Sequence, residues 1–261
     1  MPGEFEGKIV VISGASRGIG RGIALAFARA GAQTVLASSS EQNLTAAAKI
    51  IAAEGPQPFT VAGDLRTLAA CEQLFNRVNE RFRRCDVLVN NAGATRAGAF
   101  LDLPDAVWLE GFALKFFGAV RLTRLFWPLL KGSQGSVINI VGGAARTPDP
   151  EFLIGGAVNA AVANFSKGLS KLGNRDNVNV NVIHPGNTDT ERQDELRRQR
   201  AAALGRTVDE LRAEALSKSN VRRFGKPEDI AALVLFLCSE RARHVQGTAI
   251  AVDGGATSGL Y

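Results

Sequence analysis

One short stretch limits the folds open to this chain more than any other. Residues 8–13, Lys-Ile-Val-Val-Ile-Ser, form a β-branched apolar run, the pattern of a strand buried on both faces. The run leads straight into Gly14-Ala15-Ser16-Arg17-Gly18-Ile19-Gly20. Ile19, Ile23 and Phe27 then recur at helical spacing as far as Gly31, a natural helix stop. This order sets the free N–H groups of a helix's first turn, with the positive end of its dipole, beside glycines that admit a close neighbour. Any tight strand-to-helix turn uses glycines. A buried strand before them and an amphipathic helix after them favour the diphosphate of a dinucleotide as the neighbour.

The same alternation continues along the chain. Further strand patterns fall at 33–37, 58–62, 86–90, 136–141, 178–184 and 248–252, with helical patterns at 41–54, 67–83, 105–130, 154–172 and 227–239. Strand and helix in strict turn predict an α/β chain of the Rossmann type. The expected core is a doubly wound, seven-stranded parallel sheet, covered on both faces and joined by right-handed crossovers. No repeat or linker interrupts the 261 residues, a length that suits one large core, so 1–261 reads as a single domain.

Charge and cysteine content exclude several classes of function. The net charge of +6 raises the question of nucleic acid, but the excess gathers in 192–223, where acids are interspersed and no aromatic side chain is present to stack on a base. A solvated helical segment, or a preference for an anionic small substrate, accounts for it better. Cys71, Cys85 and Cys238 are odd in number and lack metal-ligand spacing, which predicts free thiols in a reducing compartment and no metal. Met1 to Glu6 show no secretory pattern, and the apolar run at 230–238 is too short for a bilayer. A cytoplasmic protein without membrane or nucleic-acid partners is expected.

Further motifs lie beyond the glycine loop. Asn90-Asn91-Ala92-Gly93 ends the fourth strand pattern and Pro185-Gly186-Asn187-Thr188-Asp189-Thr190 ends the sixth. Arg223-Phe224-Gly225-Lys226-Pro227-Glu228-Asp229-Ile230 precedes the last helix, and Val252-Asp253-Gly254-Gly255 ends the last strand. With the Gly-x-x-x-Gly-x-Gly spacing, this set resembles the short-chain dehydrogenase/reductase family over essentially the whole chain. The resemblance implies cofactor roles at specific positions. Gly14, Ser16, Gly18, Ile19 and Gly20 would line the diphosphate and nearby ribose, and Asp64 with Leu65 the adenine edge. Asn90, Ala92 and Gly93 would run along the adenosine ribose, while Pro185, Gly186, Thr188 and Thr190 would hold the nicotinamide. It also implies a substrate lid at about 190–224, here patterned as two helices joined near Gly205-Arg206-Thr207, in which Arg197, Arg198 and Arg200 face either a carboxylate or phosphate carrier or water. A homotetramer or homodimer, built through the fourth and fifth helices, is the implied assembly.

Choice of cofactor turns on the end of the second strand, where a carboxylate would bond ribose hydroxyls and repel a 2′-phosphate. The chain has Ala37-Ser38-Ser39-Ser40, with no acid before Glu41. Ser38, Ser39 and Arg17 therefore point to NADP(H) in preference to NAD(H), unless Arg17 merely covers the surface.

At the chemical end the pattern breaks. The family uses a tyrosine phenol as proton donor, a lysine four residues later, a serine after the fifth strand and an asparagine in helix four. Here the serine position reads Gly142, the Tyr-x-x-x-Lys positions read Gly155 to Asn159, and Lys115 stands where the asparagine is expected. Tyr261 is the only tyrosine in the chain, so no shift of register restores the phenol. Asparagine and lysine have in effect exchanged helices. This predicts Lys115 within a water's reach of Asn159, beside the nicotinamide ribose, as a desolvated general acid; the plainer alternative is a surface or interface lysine. His184 is a weaker candidate, because a histidine at a strand end commonly packs or bonds to backbone. Arg96, Arg146 and Asp149 border the expected cleft, and glycines at 142 and 155 suggest an enlarged one.

Three functions fit this pattern. The first is an NADP(H)-dependent oxidoreductase acting on the carbonyl/alcohol pair of a small molecule, an anionic one included, with non-standard acid–base residues. The second is a cofactor-binding sensor, scaffold or subunit without redox chemistry. The third is a lyase or isomerase on the same scaffold.

Overall fold

In the computed structural model, which describes residues 3–259, the strands form one parallel sheet in the order β3-β2-β1-β4-β5-β6-β7. They are β1 (Ile9–Ser13), β2 (Gln33–Ser38), β3 (Phe59–Ala62), β4 (Val87–Asn90), β5 (Ser136–Ile140), β6 (Asn179–Pro185) and β7 (Ala249–Val252). Every residue of β1, β4, β5 and β6 is buried, as befits the central strands of a sheet covered on both faces. The doubly wound, seven-stranded expectation is met. Met1, where the search for a secretory pattern began, and Tyr261 lie outside the described residues.

One face carries α1 (Gly18–Arg29), α2 (Glu41–Ala52) and α9 (Pro227–Cys238) over a core that includes Ile23, Phe27, Leu36, Ile51 and Val234. The other carries α3 (Leu68–Phe82) and α5 (Ala119–Ser133) over Leu74, Leu88, Phe126 and Val137. Full burial of each such side chain contributes about 1.5–3 kcal/mol. α1 and α9 approach closely at Gly22, where a β-carbon would lie 2.5 Å from Pro227 Cβ. Any larger residue there would drive the two helices apart.

The expected helix at 105–130 is in fact divided. α4 (Asp105–Phe112) passes through a π-helical turn, Ala113–Gly118, before α5 resumes the α pattern. A π turn inserts an extra residue and rotates the helix beyond it, and such turns concentrate at functional sites. Lys115 sits inside it. After α6 (Leu153–Asp176) and β6 come α7 (Glu191–Leu204) and α8 (Val208–Ser219), joined by 205–207. No described helix is long and apolar enough to cross a membrane.

Candidate active site

Strand order reverses between β1 and β4, because β1 pairs with β2 on one side and β4 on the other. A crevice opens beyond the carboxyl ends of the strands at such a switch. Here it is a cleft of about 650 Å³. Its floor is the glycine loop. Gly14 has φ +67° and Gly18 φ +55°, left-handed values that cost other L residues energy. A β-carbon on Gly20 would overlap the carbonyl of Gly14, so the loop closes tightly against the first turn of α1. Those backbone amides make a cradle that fits a diphosphate.

Gly14, Ser16, Arg17, Gly18, Ile19, Ser38, Ser39, Asp64, Leu65, Ala92, Gly93, Pro185, Gly186, Thr188 and Thr190 all line this cleft. Ser16 and Ser38 share a hydrogen bond of 3.0 Å between hydroxyls. Ser40 caps α2 by accepting from the Asn43 amide, and both residues join the lining. Arg66 bonds Asp64 and holds its carboxyl below the usual range.

Asn90 lies elsewhere. Expected along the cofactor, its amide instead turns into the protein and donates to Thr123 and Asn139. Its neighbour Asn91 takes the cleft position, with Nδ2 donating to the carbonyls of Ser13 and Gly14. Adjacent residues of a strand face opposite ways, and either asparagine of the pair fits the motif by identity.

Leu114, Lys115, Ile140 and Gly142 also line the cleft. The Lys115 stem lies over Gly93, where a β-carbon would be 2.9 Å from Lys115 Cδ. Lys115 is half-buried and has no hydrogen-bond or ion-pair partner among the described residues. Burial, with Arg192 adding repulsion, pushes its ammonium down to about 8. Asn159 is 2% exposed and accepts a hydrogen bond from the Gly142 N–H at 3.1 Å. It braces the wall behind the cleft, with no hydrogen bond to Lys115 among the described residues.

The glycines do not enlarge the site. A β-carbon on Gly142 would lie 2.9 Å from Asn159 Nδ2, and one on Gly155 would overlap the Phe152 ring. Both volumes are already filled, which corrects the expectation of a wider cleft. His184 is not among the residues that line the cleft. It is 2% exposed, its Nδ1 is 2.9 Å from the Val141 carbonyl, and burial followed by the charge of Arg146 lowers its pKa.

The arginines of the α7–α8 segment divide into two kinds. Arg197 and Arg212 both pair with Asp189, at 3.0 and 2.5 Å, and both stack on the Phe224 ring. They are structural. Arg192, in the first turn of α7, lines the cleft and points Nη1 at the Gly93 carbonyl 3.5 Å away. Nothing in the sequence separates Arg192 from its neighbours, because its role depends on where α7 begins in space. Arg96, Arg146 and Asp149 do not line this cleft.

Residues 14–257 match the family model described as enoyl-(acyl carrier protein) reductase. An uncharacterized oxidoreductase of Mycobacterium tuberculosis is 35% identical, over 97% of this chain and 93% of its own. A 3-oxoacyl-[acyl-carrier-protein] reductase of Thermotoga maritima is 30% identical, over 96% of this chain and 98% of its own. Among solved structures, the L-sorbose reductase of Gluconobacter frateurii, in complex with NADPH and L-sorbose, superposes with a TM-score of 0.95 at 32% identity and covers all of both chains.

Proposed function

The chain belongs to the short-chain dehydrogenase/reductase family, and from that premise we propose that it is an NADP(H)-dependent reductase of a small carbonyl compound in which Lys115 supplies the proton. The carrying observation is the position of Lys115, half-buried in the lining of the cleft over Gly93, with its ammonium brought down to about 8. A general acid works best when its pKa lies near the operating pH.

When bound, the reduced nicotinamide supplies the hydride to the carbonyl carbon. Lys115 faces the oxygen on which charge then develops and gives it a proton, leaving an alcohol and a neutral amine that water reprotonates. Thr188 and Thr190 line the wall where the carboxamide would rest. Gly142, whose N–H is held by Asn159, lines the same cleft. Ser38, Ser39 and Arg17 support NADP(H) over NAD(H), because no carboxylate ends β2 and a guanidinium lies in reach of a 2′-phosphate. Solved relatives contain NADPH or NADP.

Loss of absorbance from NADPH, measured against a panel of ketones and aldehydes, tests the reading. Turnover that falls about 10²–10⁴-fold in Lys115→Met supports it, and equal turnover in the variant overturns it. A second reading is favoured by the filled volume at Gly155 and by the absence of an internal phenol. On that reading the chain binds the cofactor without redox chemistry, and NADPH binding without turnover of any carbonyl distinguishes it. Exposed Leu109 of α4 and Phe117 of the π turn support assembly into a homodimer or homotetramer, which light scattering tests. Buried free thiols at Cys71 and Cys85 support a cytoplasmic setting.

A further inference from the structure

Two cations in the lining of the cleft meet over one glycine. The Lys115 stem crosses Gly93 from the π turn, and Arg192 reaches the carbonyl of the same residue from α7. Neither has a carboxylate partner among the described residues. The acids nearest to Arg192 in the chain are all engaged elsewhere. Asp189 is held by Arg197 and Arg212, Glu191 by Arg21 and the Gly18 amide, Asp194 by Arg197, and Glu195 by Arg17. Among the described residues, the one carboxylate lining the cleft, Asp64, is bonded to Arg66. Like charges held together in a partly desolvated pocket repel unless an anion lies between them.

We propose that Lys115 and Arg192 form a clamp for an oxo acid, with Arg192 taking the carboxylate and Lys115 facing the oxygen of the adjacent carbonyl. The two side chains suit those parts. A guanidinium presents a planar fork that matches both oxygens of a carboxylate, whereas an ammonium is a compact charge able to release a proton. The amides of the glycine loop other than Gly18, which donates to Glu191, suit the diphosphate of the cofactor, which leaves this pair for the substrate. The clamp rests on the reading of the cleft as a reductase site and adds the class of its substrate.

The experiment is calorimetry of NADPH-saturated protein with oxamate, an unreactive isostere of a 2-oxo acid, alongside its uncharged ethyl ester. It is accompanied by turnover of 2-oxo acids, from pyruvate to phenylpyruvate, against their methyl esters. Oxamate is expected to bind the wild type with its ester binding far more weakly. Arg192→Gln should raise the oxamate Kd about tenfold or more and erase the preference for acids over esters, while the NADPH Kd stays within about twofold. Equal binding of oxamate and ester, or a variant that loses NADPH as strongly as oxamate, overturns the clamp. Reduction of neutral ketones with no preference for acids likewise overturns the clamp and leaves the reductase reading standing. Absence of saturable NADPH binding overturns both.

Discussion

The backbone N–H of Gly142 donates to the side-chain Oδ1 of Asn159 at 3.1 Å, in a region where Asn159 is 2% exposed. This bond joins the loop after β5 to the second turn of α6, and so holds Gly142 in the lining of the cleft. Asn159→Ala leaves a largely buried donor unsatisfied, at a cost of about 1–3 kcal/mol. A lowered melting temperature with weaker NADPH binding is expected. Asn159→Asp, which keeps an acceptor for Gly142, should recover much of the stability. Equal losses in both variants would show that the Gly142 bond is not the reason.

Phe152 covers Gly155 so closely that no side chain fits beneath it. Gly155→Ala should therefore destabilise the fold by roughly 1–3 kcal/mol through overpacking. Phe152→Ala in the same chain should remove most of that penalty. A double-mutant cycle monitored by urea unfolding measures the coupling, and additive effects would contradict the overlap.

The lowered pKa of Lys115 has a defined sign in stability and in rate. Its folded value, about 8, lies below the ordinary 10.5, so between those values the unfolded chain binds more protons and stability rises with pH. The penalty is fully present below pH 8 and gone above the unfolded value, and its size is up to roughly 3 kcal/mol. Lys115→Met should be more stable than wild type at pH 7, with the gap closing as pH rises past the window. The rate of carbonyl reduction should fall above about pH 8 in the wild type, as the ammonium that donates the proton is lost. A pH profile identical in the two proteins would contradict that role.

Arg17 borders the cleft while pairing with Glu195 of α7 at 3.3 Å, and both partners are about half exposed. An exposed pair of this kind is worth little and is readily exchanged for a phosphate. Arg17→Ala should weaken NADPH binding by about tenfold or more with little effect on NADH, and Glu195→Gln should leave NADPH binding equal or tighter. Fluorescence titration with both cofactors checks this. Equal losses for NADH and NADPH would remove Arg17 from the 2′-phosphate.

Asp189 ties α7 and α8 together. Burial works against its ionisation, yet Arg212 and Arg197 hold its carboxyl below the usual range, and Phe224 lies under both guanidinium groups. Asp189→Asn should release α7 and α8 while the sheet is unaffected. Faster proteolytic cleavage within 190–219, with a nearly unchanged global unfolding midpoint, is the expected result.

Sheet, crossovers and diphosphate cradle were determined by the sequence alone. Each depends on a local pattern, whether an unbroken β-branched run, helical spacing, or glycine where the backbone must turn left or come close, and local patterns survive without knowledge of neighbours. The loss of the family's phenol was equally plain, since composition settles it. Tertiary structure decided what local patterns cannot carry. Which asparagine of Asn90-Asn91 faces the cleft depends on the strand's orientation, and a π turn that aims Lys115 is invisible to a period of 3.6. The space freed at Gly142 and Gly155 was taken by Asn159 and Phe152, because a close-packed interior leaves no void that a nearby side chain can fill. Arg192 acquired its place beside Lys115 only when α7 was anchored to the glycine loop through Glu191 and Gly18. That contact spans most of the chain's length, and nothing near either residue in sequence encodes it.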